Sequence, residues 1–295
     1  MDIELKTLSA KLGTGMVPTV QLAHEIHGAL TSKSPVVVMH GLFGSKQNWR
    51  ALGKQLAHRT ARQVVAVDLR NHGDSLHAEP HNYRAMAADV RALCDTLYPV
   101  VSPVILGHSM GGKTAMLLAL ESPSRFSALV SVDIAPRNLN LTSLFGSYID
   151  SMRSVIDAKV SSHKEADAIL AKSIPELSIR QFLLTNLKFS PSASASSPSL
   201  AFRVNLNVLY DALKSNPNGN IGIAGFPETE GSYNGPALFI RGLKSGYVPD
   251  SSIPRIKQLF PAAQIVGIEG AGHWVHSEKP VEFVKALEDF LKDVD

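Results

Sequence analysis

Val104-Ile105-Leu106-Gly107-His108-Ser109-Met110-Gly111 sets a serine between a short apolar run and a helical pattern that continues to Leu120. The run is strand-sized, and the serine stands at its exit. Acyl chemistry by a serine hydroxyl needs the side chain lifted out of the sheet, uncrowded, with backbone N–H groups beside it. A sharp strand-to-helix turn meets those needs but crowds its own backbone. Small residues two before and two after the serine, here Gly107 and Gly111, relieve the crowding. The helix that follows brings partial positive charge to where an oxyanion would develop.

The same residues fit a competitor. Gly107-His108-Ser109-Met110-Gly111-Gly112-Lys113-Thr114 satisfies the phosphate-binding pattern G-x-x-x-x-G-K-[ST], and Ala128–Val132 with Asp133 could pose as its magnesium-holding strand. A glycine-rich turn with an incidental serine is a third reading. Two distant loops separate the three. His40-Gly41-Leu42-Phe43-Gly44-Ser45 follows the apolar run Val36–Met39 and can supply a second backbone donor, so Leu42 N–H and Met110 N–H form the expected oxyanion pair. Gly270-Ala271-Gly272-His273-Trp274-Val275-His276 follows the last apolar run, and His273 has the basicity to take the serine proton near neutral pH. His276 is the alternative base. A nucleotide site predicts neither loop, so the acyl reading is preferred.

Outward from these loops the chain alternates. Val36–Met39 leads to a helical Asn48–Ala57, Val64–Val67 to Arg84–Leu97, and Val104–Leu106 to Met110–Leu120; Ala128–Val132 is a fourth apolar run. Near-continuously apolar strands alternating with helices predict a mostly parallel α/β sheet covered on both faces. Two alternating stretches, Leu5–Leu12 and Val20–Ile26, read as half-buried strands ahead of it. After Pro136 the rhythm breaks into helical patterns at Leu144–Ala158, His163–Ser173, Pro175–Leu187 and Ala201–Lys214, with the low-complexity loop Ser190–Pro198 among them. Strands return at Ala237–Arg241 and Gln264–Ile268, and Val281–Leu291 closes the chain as a helix introduced by Pro280. The expected division is a core of residues 1–135 and 237–295 with a helical cap at 136–236.

Composition excludes several classes. In 295 residues, 44% are hydrophobic and 19% charged, and 29 Lys+Arg against 26 Asp+Glu give a net charge of +3 without a basic run, too weak to argue for nucleic acid. No apolar stretch approaches the roughly 20 residues that span a bilayer, so integral membrane association is not expected. Cys94 is the single cysteine, which rules out an internal disulfide and suits a reducing, intracellular setting. The N-terminus, with Asp2 and Glu4, reads as neither a secretory signal nor an Arg-rich transit peptide. His72, His77 and His81 could in principle gather a metal, but without carboxylate or cysteine partners in register they read as a polar loop.

The loops at His40–Ser45, Asp68-Leu69-Arg70-Asn71-His72-Gly73-Asp74-Ser75, Gly107–Gly112 and Gly272–His276 resemble the α/β-hydrolase superfamily over nearly the whole chain. They resemble in particular the branch of small bacterial carboxylesterases, mitochondrial abhydrolase-domain proteins and yeast ethanol acetyltransferases. The resemblance implies an eight-stranded core, a helical cap, and a cytoplasmic or mitochondrial location. It also exposes a departure. Most of the superfamily carries an Asp in a Gly-x-x-Asp turn after the penultimate strand, whereas here that turn is Gly242-Leu243-Lys244-Ser245. Asp250 comes five residues beyond. Asp133 ends the preceding strand, a position that members of the resembling branch use, and it is preferred over Asp250 as the acid that orients the base. Asp68 and Asp74 read as turn-forming.

The expected chemistry is attack of Ser109 on a small-molecule acyl ester or thioester, with His273 as base and no cofactor or metal. His40, Phe43 and Trp274 flank the catalytic loops as possible substrate contacts. Acyl transfer to an alcohol is the nearest rival. A non-catalytic binding protein on the same fold is the rival of another class. A carboxylate nucleophile, as epoxide hydrolases and haloalkane dehalogenases use, is excluded by Ser109.

Overall fold

The computed structural model describes residues 18–189, 200–214 and 222–294. The core strands are β1 (His24–His27), β2 (Val36–Met39), β3 (Val64–Val67), β4 (Val104–His108), β5 (Ala128–Val132), β8 (Ala237–Gly242) and β9 (Ala263–Ile268). The helices between and after them are α1 (Arg50–Thr60), α2 (Tyr83–Leu97), α3 (Met110–Glu121), α8 (Ile253–Leu259), α9 (Val275–Glu278) and α10 (Pro280–Leu291). The inserted segment between β5 and β8 holds α4 (Thr142–Asp157), α5 (His163–Leu170), α6 (Leu177–Leu184), β6 (Leu187–Phe189), β7 (Leu200–Phe202) and α7 (Leu206–Leu213).

The sheet order is β1-β3-β2-β4-β5-β8-β9, parallel throughout except for β1. Strand side chains alternate between two covered faces. Val37, Met39, Val65, Val67 and Ile105 enter the core shared with α2, α3 and the inserted segment, while Val36, Val38, Val64, Ala66, Val104 and Leu106 face α1 and α10. Both faces are dry, which is why these strands read as unbroken apolar runs. Functional loops of such sheets gather at the carboxyl ends of central strands, and β2, β4 and β5 are adjacent at the centre here.

Three expectations differ from the structure. Seven strands form the sheet among the described residues, not eight, and the Leu5–Leu12 strand lies outside those residues. The strand expected at Val20–Ile26 is shortened to His24–His27 because side chains capture the earlier N–H groups. Val20 N–H donates to Asp89 Oδ1 at 2.8 Å and Ala23 N–H to Ser75 Oγ at 2.8 Å, leaving neither for a ladder. The inserted segment is not wholly helical: Leu187–Phe189 and Leu200–Phe202 pair as an antiparallel hairpin, and the helix expected from Ala201 starts at Leu206. The low-complexity stretch Ser190–Pro198 lies outside the described residues.

Candidate active site

Sheet pairing carried one step past the strand ends brings the first two groups together. Ser109 N–H donates to Val132 O at 3.0 Å, and Asp133 N–H donates to Ile240 O at 2.7 Å. Both residues then leave the sheet sharply, Ser109 at φ 53° and Asp133 at φ 48°. Such a left-handed backbone costs a non-glycine residue on the order of 1–3 kcal/mol and persists only where the surroundings hold it. The turn at Ser109 is a single residue between β4 and α3. A Cβ on Gly107 would fall 2.0 Å from Gly111 O, and one on Gly111 would fall 2.5 Å from Met39 O, so both glycines are sterically required. A one-residue turn leaves no loop to wrap a phosphate. Lys113, moreover, is buried and donates to Gly225 O at 2.8 Å, with burial pushing its ammonium down to about 7. The phosphate-loop alternative is physically excluded.

His273 stands between the serine and the aspartate. Its Nε2 lies 3.1 Å from Ser109 Oγ and its Nδ1 lies 2.7 Å from Asp133 Oδ2. Two further donors converge on the carboxylate: Gly242 N–H on Oδ1 at 2.9 Å and the Ser245 hydroxyl on Oδ2 at 2.5 Å. The loop that presents His273 is clamped by Glu278, whose Oε2 accepts from Gly272 N–H at 2.6 Å and Oε1 from Trp274 N–H at 3.1 Å. Tyr247 stacks on the imidazole with ring centroids 3.9 Å apart and planes 19° from parallel. Asp250 goes elsewhere: its exposed carboxylate pairs with Arg241 at 2.6 Å. His276 is buried against Trp49, with rings stacked at 4.4 Å, and burial pushes its pKa down to about 3, so it stays neutral, and the nitrogen at Ser109 Oγ is that of His273.

The loop after β2 faces the same point. Among the described residues no hydrogen bond within the protein takes up the N–H of Leu42 or of Met110. His40 borders the cavity, yet both of its ring nitrogens are engaged. Nε2 accepts from Leu69 N–H at 3.0 Å and Nδ1 contacts Gly41 O at 2.8 Å, while burial holds its pKa below the usual histidine range. His72 acts alike, its Nε2 accepting from Phe43 N–H at 3.2 Å and its Nδ1 meeting Arg70 O at 3.0 Å. These histidines therefore tie the loop after β2 to the loop after β3. His77 contacts Arg203 O at 3.1 Å and His81 contacts Asn71, and no metal-ligating cluster exists among the described residues. Asp68 organises its turn by accepting from Lys46 and Asp74 N–H, and both Asp68 and Asp74 pair with Lys46 Nζ.

Above the serine lies a cavity of about 270 Å³. Leu144, Phe145 and Tyr148 of α4 and Ile179, Phe182 and Leu183 of α6 line one side, with Phe43, Tyr247 and Trp274 at the core. Asn48, Trp49, His108 and His276 also line it. Phe43 and Trp274, expected as possible substrate contacts, both line this cavity. Ser245, Tyr247, Glu278 and the lining of α4 and α6 were not foreseen. Only Ser245 had a local signal, since it fills the place of the missing turn carboxylate.

The fold is shared with known proteins. A family model described as alpha/beta hydrolase fold matches residues 34–280. The sn-1-specific diacylglycerol lipase ABHD11 of Mus musculus is 44% identical over 260 residues, covering 87% of this chain and 80% of its own. A probable alcohol acetyltransferase of Saccharomyces cerevisiae is 38% identical over 270 residues, covering 88% and 78%. A marine microorganism esterase of known structure superposes with a TM-score of 0.80 at 31% identity, covering 92% of this chain and 100% of that one.

Proposed function

The chain belongs to the α/β-hydrolase family, and on that premise we propose that it is a serine hydrolase that cleaves acyl esters or thioesters through an acyl-serine intermediate. The observation that carries this is the unbroken line of hydrogen bonds from Ser109 Oγ through His273 to Asp133. Ser109 Oγ attacks the acyl carbon while His273 Nε2 takes the hydroxyl proton. Asp133 holds Nδ1–H and stabilises the imidazolium that forms. Leu42 N–H and Met110 N–H receive the oxyanion. The carbon–oxygen or carbon–sulfur bond then breaks, and His273 protonates the leaving alkoxide or thiolate. Water, deprotonated by the same histidine, attacks the acyl-serine and releases the acid. The chemistry calls on no metal or cofactor.

Residues 136–236 serve as a cap, and the apolar wall of α4 and α6 takes the acyl chain. An uncharged lipid ester suits that wall. The relatives named as diacylglycerol lipases support assaying the sn-1 ester of a diacylglycerol first. A second reading keeps the acyl-serine and replaces water by an alcohol; similarity to the yeast alcohol acetyltransferase favours testing it. Among the described residues no helix is long and apolar enough to cross a membrane.

Labelling with a fluorophosphonate tests the assignment. The adduct is expected on Ser109, with ester cleavage abolished by Ser109→Ala. An adduct elsewhere, or retained cleavage in that variant, overturns the proposal. Cleavage of an acetyl ester with ethanol present, scored for ethyl acetate, separates transfer from hydrolysis.

A further inference from the structure

The aim of Leu42 N–H is set by its neighbours along the loop. Gly41 O, the carbonyl of the same peptide, meets His40 Nδ1 at 2.8 Å and accepts from Gly44 N–H at 2.9 Å. A trans peptide directs its C=O and N–H to opposite sides, so pinning Gly41 O also aims Leu42 N–H. The following residue is the weak link. Phe43 sits at φ 60°, a left-handed backbone that a bulky side chain does not favour. His72 Nε2 holds its N–H, and Asn186 Nδ2 holds its carbonyl at 2.7 Å in a buried contact.

Asn186 is not part of the core. It lies between α6 and β6, just after the helix that presents Ile179, Phe182 and Leu183 to the cavity. Its own backbone is fixed in the inserted segment, donating to Leu183 O at 3.1 Å and accepting from Arg203 N–H at 2.8 Å. The amide therefore links the wall of the cavity to the loop that carries the oxyanion donor.

We propose that Asn186 is a positioning residue through which the cap completes the oxyanion loop. Seating an acyl chain on α6 and aiming Leu42 N–H then become one event. The inference rests on the serine-hydrolase assignment and goes beyond it. A donor that matters only when negative charge appears on the acyl oxygen affects kcat, whereas a residue that merely packs the cap affects KM or stability.

The test compares Asn186→Asp and Asn186→Leu, which remove the donor at nearly constant size, with Arg153→Ala, which loosens α4 at its exposed contact with Asn207 (2.9 Å) and touches neither Asn186 nor the loop after β2. Hydrolysis of p-nitrophenyl butyrate is measured per serine titrated to completion with fluorophosphonate, so a misfolded fraction does not enter. The Asn186 variants are expected to lose kcat by about 10–100-fold with little change in KM, less than the loss of a whole oxyanion donor. A trifluoromethyl ketone, which forms an oxyanion at the serine, should weaken by a similar factor. Arg153→Ala should raise KM and leave kcat unchanged. Asn186 variants that keep kcat, or change only KM, overturn the proposal. Failure of the serine-hydrolase assignment would instead appear as activity retained in Ser109→Ala.

Discussion

Replacing Asp133 by Asn keeps the volume at the buried strand end and removes only the charge and one acceptor. Three donors converge there: Gly242 N–H on Oδ1, and the Ser245 hydroxyl and His273 Nδ1 on Oδ2. If the amide oxygen stays on Gly242 N–H, its NH₂ faces His273 and forces the wrong tautomer, with Nε2–H pointing at Ser109. Flipping the amide restores an acceptor for His273 but leaves Gly242 N–H buried without one, at about 1–3 kcal/mol. That penalty alone lowers the competent population by about 10–100-fold, and the lost carboxylate charge beneath the imidazolium adds further. The corresponding change in other serine triads lowers kcat by about 10⁴. The expected loss here is about 10³–10⁴ in kcat, or about 4–5.5 kcal/mol of transition-state stabilisation. The assay is steady-state hydrolysis of p-nitrophenyl butyrate at neutral pH, with circular dichroism to verify the fold. Asp250→Asn is the control, since its exposed pair with Arg241 is of the kind that contributes about 0–1 kcal/mol. An Asp133→Asn enzyme within about tenfold of the parent, or an Asp250→Asn enzyme as impaired as expected for Asp133, would refute the assignment.

Ser245→Ala removes one donor from the carboxylate and should lower kcat by about tenfold with KM unchanged; an unaltered kcat would show that the hydroxyl is idle. Gly107→Ala drives a methyl to within 2.0 Å of Gly111 O, where only backbone could yield, so a loss of more than about 4 kcal/mol is expected in urea denaturation. An Ala variant with parental stability would contradict the turn geometry. His276 stays neutral in the fold because burial pushes its pKa down to about 3 from 6.5, whereas in the unfolded chain it takes a proton below its ordinary value. Its stabilising contribution is therefore present above pH 6.5 and is lost as pH falls toward 3. His276→Phe, which can keep the stack on Trp49, should flatten the fall of the urea midpoint with acid; parallel profiles for parent and variant would disprove the linkage.

What was legible in the sequence was local. Ser109 and His273 announce themselves because a strand exit, small neighbours and a helix start are all encoded within a few residues. The apolar runs were legible because both faces of the sheet are buried. Tyr247, Glu278 and Asn186 were not, since their roles depend on which distant backbone each side chain meets. His40, which also borders the cavity, and His72, part of the polar loop, fasten one loop to another through backbone groups, and no local pattern encodes that tie. The hairpin in the inserted segment was hidden for a different reason. Its two short strands flank a low-complexity stretch, and Ala201-Phe202 continue smoothly into a helical pattern, so periodicity joined what pairing separates. Val20–Ala23 failed in the opposite sense, a good strand pattern whose N–H groups side chains had claimed.

The position of the proposed acid, Asp133, follows from the sheet itself. β5 and β8 are parallel neighbours with Val132 opposite Ile240, so the exit of one strand lies beside the exit of the other. Asp133 N–H bonds to Ile240 O, and Gly242 N–H bonds back to the Asp133 carboxylate, which ties both exits to one spot. Ser245, in the turn where the wider superfamily carries its Asp, puts a hydroxyl oxygen 2.5 Å from Asp133 Oδ2. A histidine ring recognises an oxygen at hydrogen-bond distance along its Nδ1–H, not the strand that delivers it. Moving the carboxylate one strand over therefore preserves the contact with His273, provided that β5 ends in the left-handed turn seen at Asp133 and that the vacated turn supplies a donor. Both conditions hold here, and they are the physical ground on which Asp133 is proposed as the acid rather than Asp250, whose side chain turns toward Arg241 and solvent.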